Sequence, residues 1–160
     1  MDFALIAAPV VGILALAFAF YKASTIDKAS PGNDRMKEIA SYIEEGAMAF
    51  LQREYRALLI FVVILFVVLT IGINWQTAVS FVVGAVFSAL AGYFGMKVAT
   101  KANVRTANAA KEEGMNKALN IAFSGGSVMG MSVVGLGIIG VSILYILFPD
   151  PAIVTGFGLG

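Results

Sequence analysis

Hydrophobic residues run in four long stretches, 3–21, 57–73, 78–96 and 119–148, and every charged residue lies outside them. A bilayer core takes about 20 apolar residues as helix. The first three stretches therefore predict membrane spans, and the fourth, which is longer, predicts a span that tilts or projects. Helix is required because, in lipid, only helices and closed barrels satisfy their own backbone. Barrel strands would alternate polar and apolar residues, and these stretches do not. Residues 152–160 are again apolar and predict the start of a fifth span. The pattern is that of an all-α integral membrane protein, a single transmembrane region of four helices reading as part of something larger.

The second span has no visible beginning. Residues 44–66 read EEGAMAFLQREYRALLIFVVILF, passing from charge to hydrocarbon with no turn between. Going back to Lys37, Ile39, Ile43, Ala47, Phe50 and Leu51 recur at helical spacing on one face. Asn33 or Asp34, just after Pro31-Gly32, can cap a start, and Gly46 alone does not stop a helix. The spacing predicts a helix emerging from the membrane by about 30 Å. Its apolar stripe would lie on headgroups or on other helices. Arg53 and Arg56 read as headgroup anchors, and Glu44, Glu45 and Glu54 as solvated charges. Glu44 and Glu45 diverge by about 100° on a helix, so they make no magnesium site by themselves.

Composition agrees with lipid as solvent. The 160 residues are 59% hydrophobic and 13% charged, against about 25% charged in soluble domains. All eleven lysines and arginines fall in 22–56 or 97–117. The positive-inside rule puts both segments in the cytoplasm, as loops, with the N-terminus outside the cell membrane. Trp75, in the uncharged link Gly72–Thr77, fits an interfacial anchor. The leading residues MDF carry no base, which argues against a signal peptide. Pro9 bends the first helix or sits in its first turns. A net charge of +1 gives no reason to expect a nucleic-acid partner.

GLGIIG at 135–140 matches G-x-G-x-x-G, but it lies inside an apolar span with neither the strand nor the acid of a dinucleotide site. Close helix packing explains the glycines better. Gly84, Ser88 and Gly92 repeat every four residues, with Gly95 next, and Gly126, Gly130, Gly137 and Gly140 share a face of the fourth span. Small residues at such spacing let backbones approach in lipid. The second span, rich in Val, Ile, Leu and Phe, reads as lipid-facing. No histidine, cysteine or dense acidic cluster occurs, and the span cores hold no acid, base or histidine, only serines, Thr70 and tyrosines, so an ion relay or catalytic centre within these helices is not expected.

EEGAMAFLQREYRAL (44–58), GYFGMKVATKANVRTANAA (92–110), AFSGGSVMGM (122–131) and TGFGLG (155–160) resemble the N-terminal part of membrane-bound, ion-translocating inorganic pyrophosphatases, proton- or sodium-pumping. The resemblance implies a homodimer of sixteen-helix subunits. It also implies magnesium pyrophosphate held by cytoplasmic helix extensions and outward ion transport, and leaves open whether potassium or sodium serves as a further cofactor. It carries no catalytic, substrate-binding or metal residue onto this chain, because the family's Asp- and Lys-rich motifs would follow Gly160. The segment would be inactive alone, its partners being lipid and the remaining helices. The residues themselves leave open a small non-enzymatic scaffold or accessory subunit that assembles through the glycine faces.

Overall fold

A computed structural model describes residues 3–160, with side chains from residue 6; Met1 and Asp2 of the MDF leader lie outside them. The described residues form five helices and no strand. These are α1 (Phe3–Asp27), α2 (Asp34–Gly72), α3 (Trp75–Glu112), α4 (Met115–Leu147) and α5 (Pro151–Leu159). Four are long and apolar enough to cross a membrane.

Each boundary has a local cause. Asn33 accepts from the Met36 N–H at 2.9 Å and starts α2. Asn74 accepts from the Thr77 N–H at 2.8 Å, so α3 follows α2 after two residues. Asp150 accepts from the Ala152 N–H at 2.9 Å, with Pro151 in the first turn of α5. Such side-chain caps satisfy amides that a helix start leaves open. Gly114, at φ +92°, makes the turn between α3 and α4. Pro9 sits in the second turn of α1, which continues through it.

At the standard rise, the 39, 38 and 33 residues of α2, α3 and α4 measure about 58, 57 and 50 Å. All exceed a bilayer core of about 30 Å, and all overshoot at the basic end. The expected extension of α2 is there. The segment 97–117, expected as a loop, is instead the second half of α3, one turn and the start of α4. Its first part, KVATKANVRTANAAKE, is alanine-rich with no glycine or proline before Gly114, so nothing ends the helix earlier. Likewise α1 runs on to Asp27, leaving only 28–33 as connection.

In space α3 is central. It packs against α2, α4 and α5, while α1 lies along α4 and does not touch α2. The interior is built of small side chains: Ala19, Ala102, Ala109 and Ala118 with Ile26, Ile121 and Val128 between α1, α3 and α4. A second cluster, Leu69, Ala78 and Phe81, joins α2 to α3. Helices in lipid gain little by hiding hydrocarbon from hydrocarbon, so close approach and dispersion hold them. Within the described residues the outer face of α2 is uncovered: Ile71 is 82% exposed, and Ile60, Ile64 and Val68 also face outward.

The contact glycines differ in part from the expected stripe. A Cβ on Gly12 would stand 2.9 Å from the Gly135 carbonyl, and one on Gly135 3.0 Å from the Gly12 carbonyl, so α1 and α4 cross there backbone to backbone. Gly95 receives Met129, and Gly125 faces Ala102 at 3.0 Å. Gly84 lies on the Phe157 carbonyl and Gly140 on the Phe157 ring. GLGIIG thus supplies two packing contacts, to α1 and to α5. Gly126, Gly130 and Gly137 would meet nothing within 4 Å, because their face of α4 turns away from the other described helices. Gly92 faces the Tyr55 hydroxyl at 3.5 Å, and Ser88 is exposed in the groove between α2 and α3.

Candidate functional site

Because α1 and α2 do not touch, the connection 28–33 has to cross the projecting half of α3. Lys101, Arg105 and Asn108 recur at helical spacing on the face of α3 that receives it. Arg105, its side chain 15% exposed, donates from Nε to the Ala29 carbonyl at 3.1 Å and from Nη1 to the Lys101 carbonyl at 3.0 Å. Lys101 donates from Nζ to both Asp27 carboxylate oxygens, at 3.1 and 3.3 Å, and Arg105 Nη2 adds a longer contact to Asp27 at 3.9 Å. Asn108, buried, donates to the Ser30 carbonyl at 3.4 Å. Gly32 closes the crossing at φ +85°. A Cβ there would stand 2.8 Å from Asn108 Oδ1, so glycine is favoured by conformation and by space.

The arrangement is a clamp. Asp27 is half exposed, so its ion pair is worth about 0–1 kcal/mol at most. The guanidinium bonds to two backbone carbonyls matter more, because they satisfy groups that the crossing partly removes from water. Sequence reading missed Asp27, Lys101 and Asn108 as a unit. Part of the signal was present in ATKANVRTAN, where Lys101, Arg105 and Asn108 recur at helical spacing, but it was legible only once 97–112 was read as helix.

The α2 extension faces this half of α3 across an open recess of about 260 Å³ lined by Met36, Ile39, Ala40 and Ile43 on one side and Thr100, Asn103, Val104 and Ala107 on the other. Of the expected stripe only Leu51 is buried, while Ile39, Ile43 and Phe50 are exposed, because α3 does not close over that face. Glu44, half-buried, lines a recess of about 180 Å³ with Lys37, Lys101 and Arg105. Glu45, Arg53 and Arg56 are exposed. Glu54 and Tyr55 line the groove between α2 and α3, where the Tyr55 hydroxyl donates to the Ala89 carbonyl at 2.7 Å.

Magnesium takes several hard oxygen ligands, usually carboxylates and phosphate oxygens. Among the described residues no three acidic, histidine or cysteine side chains converge, and Asp27 is engaged by Lys101. The described residues do not fit a magnesium centre, and no catalytic step is assigned to them.

Comparison with known proteins gives this clamp and helix wall their context. The family profile described as inorganic H+ pyrophosphatase matches residues 13–160. A Clostridium tetani protein named for a K(+)-stimulated pyrophosphate-energized sodium pump is 63% identical over 150 residues, 93% of this chain and 22% of its own length. The K(+)-insensitive pyrophosphate-energized proton pump of Methanosarcina mazei is 45% identical over 162 residues, 100% of this chain and 24% of its own. The K(+)-stimulated pyrophosphate-energized sodium pump of Thermotoga maritima is 43% identical over 139 residues, 86% and 19%. The chain thus spans under a quarter of the length of these relatives. With the profile covering nearly all of it, the chain belongs to the inorganic H+ pyrophosphatase family.

Proposed function

We propose that this chain is the N-terminal membrane segment of a pyrophosphate-energised ion pump, which hydrolyses diphosphate to two phosphates and moves protons or sodium ions outward. The observation that carries this reading is the family match across 13–160, with relatives of both ion types. The segment's own part is mechanical. α2 and α3 run unbroken from the membrane into a projecting layer, and the clamp of Arg105 and Asn108 fixes where α2 enters that layer.

Magnesium, and potassium or sodium as activator, would be held by parts of the protein outside this segment, and the segment alone would hydrolyse nothing. The basic ends of α2, α3 and α4 would face the cytoplasm, with the N-terminus and the Trp75 end outside. Gly126, Gly130 and Gly137 would receive further helices of the same subunit, and two subunits would pair. The test is magnesium-dependent phosphate release and pyrophosphate-driven cation uptake by inverted membrane vesicles containing the whole protein. Phosphate release without cation movement, or neither, would overturn the reading. Dependence of uptake on sodium decides between the ions.

A further inference from the structure

Where α1 ends and α4 begins, a cleft of about 200 Å³ opens between the helices. Its polar lining comes from Thr25, Lys28, Lys117, Asn120 and Ser124. Among the described residues neither lysine has a carboxylate within 4 Å; the nearby acid Asp27 is instead drawn to Lys101 and Arg105 on α3. Ser124 is only 6% exposed, and the bond from Ser127 goes to its carbonyl, leaving its hydroxyl to the cleft. Two cations, a nearly buried hydroxyl and an amide side chain around a small volume are complementary to a tetrahedral oxyanion.

We propose that this cleft binds a phosphate-type oxyanion. The phosphate can come from solution or from an anionic lipid headgroup. Ser124 is next to Gly125, which packs on Ala102, five residues beyond Lys97 at the end of the third span. That height is at, and just beyond, the headgroup layer.

The test is lysine footprinting with an amine-acylating reagent on the protein in nanodiscs, which expose both faces, so the outcome does not depend on the proposed orientation or on activity. Lys111, exposed and beside Glu112, is the internal control. In phosphatidylcholine discs, inorganic phosphate should slow labelling of Lys28 and Lys117 several-fold relative to Lys111, where chloride of equal ionic strength does not. If the source is lipid, phosphatidylglycerol discs should do so without added phosphate. Ser124→Ala should weaken protection about tenfold, the worth of one hydrogen bond to a charged group. Absence of protection in both arms, equal protection by chloride, or full protection in the Ser124→Ala protein would overturn the site.

Discussion

The α1–α4 crossing gives the sharpest test of the packing. Alanine at Gly135 places a methyl 3.0 Å from the Gly12 carbonyl and 2.8 Å from Leu16 Cδ2. The leucine end can rotate. The carbonyl belongs to a helix and moves only if α1 shifts by several tenths of an ångström along its length. That shift would loosen Ala19 and Ile26 where they pack at the α1 end of the same cluster as Ile121 and Val128. Overpacking of this kind costs about 1–3 kcal/mol. Alanine recovers about 0.5–1 kcal/mol in helix preference, so Gly135→Ala should destabilise by roughly 1 kcal/mol and by at most about 2.5 kcal/mol, the difference of those two effects. Gly46→Ala is the control, since its methyl meets nothing within 4 Å; it should be neutral or stabilising. Unfolding titrated with SDS in mixed micelles reads both. Because Gly12 and Gly135 meet each other, Gly12→Ala combined with Gly135→Ala should be non-additive. A Gly135→Ala protein as stable as the Gly46→Ala protein would refute the backbone crossing.

Substitutions at three further positions probe other contacts. Ser80→Ala should be neutral or stabilise by about 1 kcal/mol, since the Ser80 hydroxyl is buried without a partner; a loss of stability in the same titration would mean that the hydroxyl has an unseen role. Asn33→Ala should cost about 1 kcal/mol by removing the α2 cap, read as faster amide exchange in the first turn of α2 with the membrane half unchanged. Arg105→Ala should speed proteolysis of 28–33, and Arg105→Lys should not restore protection, because an ammonium cannot reproduce the fork that reaches both the Ala29 and Lys101 carbonyls; full protection in the lysine variant would count against the clamp.

The helices were legible because lipid imposes a coarse rule, and runs without charge obey it. The start of α2 was legible from Asn33 after Pro31-Gly32. The continuation of α3 through Thr100–Glu112 was not, because attention to charge made a basic segment look like a loop although its alanines say helix. The contact glycines were legible only in part. Periodicity identifies a face, but which neighbour that face meets depends on where α1 and α5 return. Gly135 and Gly137 stand two residues apart in one motif, and only Gly135 meets another helix within the chain. The clamp depends on the same long-range fact. Nothing local shows that α1 packs on α4 while α2 packs on α3, and that separation is what brings 28–33 across Arg105.

That separation also answers why charge runs into hydrocarbon at residues 44–66 without a turn. A turn at the membrane surface would let the projecting part of α2 swing independently of its span. Continuous helix makes the two parts one rod of 39 residues. The two-residue link to α3 holds one end, and the 28–33 crossing, clamped on α3, holds the other. Between them Leu69 packs with Phe81, the Tyr55 hydroxyl bonds the Ala89 carbonyl, and Ile43 and Val104 of α3 line one recess. Because these contacts all lie along α3, a displacement of the projecting layer cannot be absorbed locally in α2. It has to slide the rod past α3, and among the described residues the Tyr55–Ala89 bond is the one side-chain hydrogen bond between the two helices that resists it. Tyr55→Phe keeps the ring and removes only that resistance. It should therefore leave the fold intact, cost about 1 kcal/mol in the SDS titration, and raise amide exchange on the α2–α3 face more than elsewhere. Exchange unchanged there would mean that small-residue packing alone fixes the register.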